Sequence, residues 1–179
     1  GFIRHYTWEL AYGMRTLMRV TYGQPRLPKI HVLEAEFRGA AEAAFSGLGR
    51  EGQEHLWSMA HTATQQSHGT ILVIHGGAAD EAVRLSSQGA PIDPIKLDAD
   101  GLLSLSSIDG AILMDEHGAC HAFGVILDGI AMTEANPARG ARYNSALRYV
   151  RASEAPCVAV VVSEDGGVEV VAICDADSD

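Results

Sequence analysis

Apolar positions along the chain change period several times, and each change marks an element. From Arg4 to Val20 they follow helical spacing, with Trp8, Tyr12 and Arg15 on one face and Leu10, Met14, Leu17 and Met18 on another. Two prolines and a glycine between Tyr22 and Pro28 break that pattern. His31 to Phe45 resumes it, and Ser46-Gly-Leu-Gly49 ends it. A helical segment over 1–49 is therefore expected to precede a separate domain over 50–179. Glu51 to Gln66 reads as a further helix, with Leu56, Met59, Ala60 and Ala63 as its buried stripe, and His68-Gly69 stops it. Thr70 to Ile74 is a short β-branched strand, too apolar for a sheet edge. Gly76-Gly77 turns the chain, and Asp80 is expected to cap a short helix running through Leu85. Pro91 to Pro94 reads as an irregular connection, and Leu97 to Leu105 as a short helix or turn.

The second half alternates strand and helix. Ile108 to Met114 and Ala119 to Leu127 form two strands around a four-residue turn, Asp115-Glu-His-Gly118. Asp128 to Ala138 reads as a loop and Ala141 to Ala152 as a helix. Cys157 to Ser163 and Val168 to Ile173 flank Asp165-Gly166, the strongest hairpin signal in the chain. The acidic tail from Asp175 is expected to fray. Strands alternating with helices, plus two hairpins, predict an α/β fold: a mixed central sheet flanked by helices, with an N-terminal helical extension.

Composition narrows the function without choosing it. A hydrophobic content of 47% and a charged content of 20% suit a globular domain. The net charge of −10 argues against a large nucleic-acid surface, though not against a local phosphate pocket. No apolar run approaches the roughly 18 residues of a membrane span. Cys120, Cys157 and Cys174 lie in or beside apolar runs and have no zinc spacing, so buried thiols in a reducing cytoplasm are expected.

Candidate chemistry gathers between Ser107 and Arg151. Arg142 and Ser145 lie in the first turn of the predicted 141–152 helix, where free N–H groups and the helix dipole favour an anion. An arginine there can grip phosphate with two prongs, and a serine adds a hydroxyl donor. The same pair also reads as a surface arginine and a helix-start serine. Tyr143, Leu147 and Val150 form the core-facing stripe, with Asn144, Arg148 and Arg151 on a polar stripe beside it. Asp109 stands at the mouth of an apolar strand, either as a turn former or as an oxygen ligand for Mg²⁺ or Mn²⁺. Gly110 would let a nucleotide approach the backbone closely. Ser163-Glu164 punctuates a hairpin, or supplies a phosphate donor and a carboxylate beside the metal. The eight histidines show no metal-type spacing.

The order of these pieces resembles a known family. Ser58 to Ile173 looks like the diadenylate cyclase (DAC) domain, the nucleotide-binding domain of DNA-integrity-scanning and related bacterial and archaeal proteins. The matching pieces are His68-Gly-Thr-Ile-Leu-Val-Ile74, Asp109-Gly110-Ala111, Gly140-Ala-Arg-Tyr-Asn-Ser-Ala146 and Val162-Ser-Glu-Asp-Gly166. The resemblance implies that two ATP-bound domains face each other as a homodimer or within a higher homo-oligomer. There they condense two ATP into cyclic di-AMP and release pyrophosphate. It makes Asp109 the ligand of Mg²⁺ or Mn²⁺ and Asp109 and Arg142 the catalytic residues. The implied substrate-binding set is Gly110, Ala111, Gly140, Arg142, Asn144, Ser145, Ser163 and Glu164. The strand after the Asp-Gly-Ala hairpin would contribute to the adenine pocket.

One motif departs from the pattern. The family's second motif is usually Gly-Thr-Arg-His-Arg-Thr/Ala-Ala. Here the Thr is Ala141, the His is Tyr143 and the second Arg is Asn144. A hydroxyl, an imidazole and a cation are missing, with Arg139 and Arg148 the nearest replacements in sequence. The alternative expectation is a catalytically altered domain that binds or senses a nucleotide or cyclic dinucleotide.

Overall fold

The computed structural model describes residues 7–12, 15–21, 24–26, 30–66, 68–129, 140–164 and 167–173, with side chains from residue 33 onward. The chain divides into two compact units, 1–34 and 35–179. In the first, β1 (Thr7–Tyr12), β2 (Arg15–Thr21) and β3 (Gln24–Arg26) form an antiparallel sheet in that order. This corrects the helix expected over 4–20. Trp8, Leu10 and Tyr12 satisfy period two, while Trp8 and Tyr12 also share a helix face, and Thr16, Val20 and Thr21 favour strands.

The boundary between units falls inside α1 (Ile30–Ala44) rather than at the Gly49 break. From residue 35 onward this helix belongs to the second unit, where Phe37, Ala41 and Phe45 join the core formed with Leu56 and Met59. The helix expected over 51–66 is α2 (Arg50–Ala63), with its four expected residues buried.

Six strands make the second unit's mixed sheet, in the order β5-β7-β6-β4-β8-β9. Their ranges are β4 (Thr70–His75), β5 (Ala90–Lys96), β6 (Ala111–Met114), β7 (Ala119–Val125), β8 (Cys157–Val162) and β9 (Val168–Ala172). β4 is parallel to β6, and the other pairings are antiparallel. Alternation along β4 explains its central place. Ile71 and Val73 enter the core under α3 (Ala78–Arg84) and α5 (Ala141–Ala152), while Leu72 and Ile74 enter the core under α1, α2 and α4 (Ala99–Leu105).

Several local expectations are corrected. Pro91 and Pro94 lie in β5, an edge strand whose register shifts between Pro91 and Ile95. An edge position tolerates prolines because one side of the strand makes no ladder bonds. Asp80 lies inside the first turn of α3, and Gly77 holds the cap position. The 97–105 segment is a helix because Asp98 caps it, accepting from Gly101 N at 2.7 Å. The 115–118 turn is held by Asp115, whose Oδ1 accepts from the backbone of His117 and Ala119 at 2.9 and 2.8 Å. The Asp165-Gly166 turn, residues 130–138 of the expected loop and the 175–179 tail lie outside the described residues.

Burial pushes the Cys120 and Cys157 thiols up to about 11 and about 12, which keeps both protonated and inert. At the far end of β4, His75 is 6% exposed and its Nδ1 accepts from Gly77 N at 3.0 Å. Its Nε2 therefore carries the proton and faces Ser153 Oγ at 2.9 Å. Nearby, Glu81 accepts two hydrogen bonds from Arg84 and one from Tyr149 Oη, all at 2.7 Å. Arg84 reaches Asp128 with two further bonds of 2.7 Å.

This cluster predicts acid sensitivity. Burial holds the His75 pKa below its ordinary 6.5, so the unfolded chain takes up that proton first, and stability is lost as pH falls below that value. Hydrogen bonds from Arg84 hold Glu81 and Asp128 below their ordinary 4.5 and 3.8. Their contribution is fully present above those values and is lost as pH falls below them, through the depressed values of the folded state. Urea unfolding should show a midpoint that declines from pH 7 to about pH 5 and falls further in stronger acid. His75→Gln should flatten the first decline and leave the second. An identical slope in both proteins would rule out the buried ring as its source.

Candidate functional site

Five segments converge at one end of the sheet. Register puts Ile71 opposite Ala111, Ala111 opposite Val125, and Thr70 opposite Val162. The start of β4, the start of β6, the exit of β7 and the exit of β8 therefore share this end, and the first turn of α5 reaches it. Gly110 has φ +111° and Gly124 has φ +63°, both left-handed. A Cβ on Gly110 would stand 2.5 Å from the carbonyl carbon of Gly124. This close backbone contact explains why β6 starts at Ala111, which is fully buried, and not at Ile108.

The contact leaves Asp109 projecting from the sheet end, with a side chain 97% exposed. Its Oδ1 accepts from Gly110 N at 3.1 Å and lies 3.7 Å from Arg142 Nη2. Arg142 is the second residue of α5, and its Nη1 donates to Glu164 Oε1 at 3.1 Å. One guanidinium thus stands between two carboxylates, one just before β6 and one just after β8. The Arg142 side chain is 35% exposed and that of Glu164 is 75% exposed. All three are therefore open to an approaching ligand.

The other candidates occupy supporting places. Gly140 holds the cap position of α5 in an extended conformation. Asn144 Nδ2 donates to Gly140 O at 3.3 Å, back into its own first turn. Ser145 Oγ donates to Leu127 O at 3.4 Å and ties α5 to the chain leaving β7. Ser163 N donates to Gly167 O at 2.8 Å and closes the β8–β9 hairpin. Tyr143 is partly buried against the core, as its place on the apolar stripe implies. Arg148 lies six residues, roughly 9 Å, further along α5. Its backbone abuts Gly129, where an added Cβ would come within 2.9 Å. Arg139 lies outside the described residues.

One participant is not legible in the sequence. Gly69 reads there as a helix stop and as part of the His68 to Ile74 piece, with no role of its own, yet an added Cβ would fall 2.4 Å from Arg142 Nη1. Its one signal is a glycine directly before a wholly apolar strand.

The arrangement suits a cation that arrives with a phosphate ligand. Among the described residues no group of three or more His, Cys, Asp or Glu side chains is placed to hold a metal ion. Mg²⁺ is commonly held by one or two carboxylates plus substrate phosphate oxygens, which Asp109 and Glu164 can supply. The first turn of α5 and Arg142 offer positive potential beside them.

The described fold is an α/β domain with a mixed sheet between two helical layers. Residues 58–174 match the DAC family, described as the DisA bacterial checkpoint controller nucleotide-binding domain, and the chain belongs to that family. Among solved structures, a double-cysteine mutant of DacA from Staphylococcus aureus is similar, with a TM-score of 0.56 and 16% identity. The similarity covers 69% of this chain and 85% of that one. A hypothetical membrane-spanning protein from Bacillus cereus is similar at a TM-score of 0.50 and 16% identity, over 80% of this chain and 90% of that one. At such identities the likeness concerns the fold. No curated protein matches the chain. Among the described residues no helix is long and apolar enough to cross a membrane.

Proposed function

We propose that the protein is a diadenylate cyclase, condensing two ATP into cyclic di-AMP with release of two pyrophosphates. The observation that carries this reading is the 3.7 Å approach of Asp109 to Arg142 at the head of α5. Carboxylate and candidate phosphate-binding cation lie side by side on the surface at one end of the sheet, the pairing that metal-assisted nucleotidyl transfer requires. Arg142 and the first-turn N–H groups seat the triphosphate. Gly110, partly exposed, lets the nucleotide approach the backbone, whereas Ala111 is fully buried and supports that turn from beneath. Asp109 and Glu164 would hold Mg²⁺ or Mn²⁺, which when bound neutralises phosphate charge and lowers the pKa of the ribose 3′-hydroxyl.

The exposure of Asp109 supports a two-chain reaction. Its carboxylate points out of the domain, toward where a second nucleotide-bearing copy would present its α-phosphate. The 3′-oxygen attacks that phosphorus, the bond to the β-phosphate oxygen breaks, and pyrophosphate leaves. The reciprocal step closes the ring.

A second reading draws on the altered motif. Tyr143 packs against the core, Asn144 bonds within its own turn, and Ala141 has no hydroxyl, so Arg142 is the motif's one cation. Such a domain could bind a nucleotide or cyclic dinucleotide without turning it over.

Incubation with ATP and Mg²⁺ or Mn²⁺, followed by chromatography, separates the two. Cyclic di-AMP is expected, at a rate per chain that rises with protein concentration across the dimerisation range. Tight ATP binding with no product would establish the sensor instead. A rate per chain independent of concentration would contradict the face-to-face arrangement.

A further inference from the structure

We propose that Gly69 is a positioning residue: its bare Cα is the seat on which the Arg142 guanidinium lies. A Cβ at residue 69 would fall 2.4 Å from Arg142 Nη1, 2.6 Å from Cζ and 2.9 Å from Nε. Three atoms of one planar group surround the position a side chain would take. The guanidinium therefore rests against the backbone before β4, while Glu164 and Asp109 engage its edge at 3.1 and 3.7 Å.

The backbone does not require this glycine. Among the described residues the glycines with positive φ are Gly110, Gly118 and Gly124, so Gly69 has a conformation open to alanine. Nor does the core require it. The atoms a methyl group would strike belong to the far end of a flexible, 35% exposed side chain, which can swing away at little cost. What a side chain at 69 removes is the placement of the cation. A fork held between a backbone seat and two carboxylates is pre-organised, and pre-organisation is what makes an arginine contact to phosphate strong.

The seat itself is independent of the reading above, and its consequence for ATP rests on that reading. The test uses the whole chain and four variants: Gly69→Ala, Arg142→Ala, their double, and Arg142→Lys. The Arg142 side-chain Nε–Hε resonance is assigned by its loss in Arg142→Lys. Gly69→Ala should shift or broaden that resonance while moving the thermal midpoint by no more than about 3 °C. An unmoved resonance overturns the proposal, whether or not any nucleotide binds.

The second readout is affinity for ATP with Mg²⁺. Gly69→Ala should weaken it about tenfold, comparable to one charge-assisted hydrogen bond, and weaken AMP less. Added to Arg142→Ala, it should weaken ATP no further. Additive losses in the double variant would overturn the seat, since Gly69 would then act without Arg142. If the unmodified chain binds no ATP, the cyclase reading fails and the resonance alone decides the seat.

Discussion

Asp109→Asn should abolish cyclic di-AMP formation, lowering the rate by about 10²–10³-fold or more, while the protein stays folded and still binds ATP. Asparagine keeps the shape of the side chain and the oxygen that accepts from Gly110 N at 3.1 Å. What it loses is the charge. The carboxylate is 97% exposed, so its removal takes little from the fold, because exposed ion pairs are heavily screened. Arg142 also loses one of its two carboxylate neighbours, which leaves it more available to phosphate. ATP affinity measured by calorimetry should therefore hold or rise as product disappears. A variant that cyclises ATP at the unmodified rate would remove Asp109 from the chemistry and from the proposed metal site.

Gly110→Ala should destabilise the fold far more than Gly69→Ala. Gly110 has φ +111°, where an L side chain is strained by about 1–3 kcal/mol. The added Cβ would also stand 2.5 Å from the Gly124 carbonyl carbon and 2.8 Å from its Cα and O. These are backbone atoms of β7, so relief requires a strand to move, at roughly another 1–3 kcal/mol. A combined loss near 4 kcal/mol corresponds to a fall of about 8–16 °C in thermal midpoint for a domain of this size. Scanning calorimetry of the two variants side by side makes the contrast. Both additions meet atoms within 2.5 Å, but one meets backbone and the other a mobile guanidinium. Midpoints that fall equally would show that the two sites are not distinguished by what the methyl group strikes.

Elements whose apolar period is unambiguous stand in the sequence as the structure has them. α5 runs over Ala141–Ala152 as its spacing requires, and the β4 segment is legible as central because it contains no polar alternation. The 115–118 turn is marked by its Asp and Gly, and both act there: Asp115 binds two backbone N–H groups, and Gly118 has φ +82°. The motif pair Asp109-Gly110-Ala111 and Gly140 to Ala146 is legible by its order, as is the family it indicates.

The misread strands share one cause, the dependence of strands on their neighbours. Trp8, Leu10 and Tyr12 share one strand face, while Trp8 and Tyr12 also share a helix face, and pairing between β1 and β2 chose the strand. Pro91 and Pro94 argue against a strand until β7 offers an edge on which their missing N–H groups cost nothing. The chain alone determined which residues carry charge, where α2 and α5 lie, and that Asp109 and Arg142 stand in pieces resembling the DAC family. Tertiary structure decided that β4, β6 and β8 share a sheet end, so that Gly69, Asp109, Arg142 and Glu164 meet there. Sheet pairing brings distant segments into register through backbone hydrogen bonds, which local residue spacing does not encode.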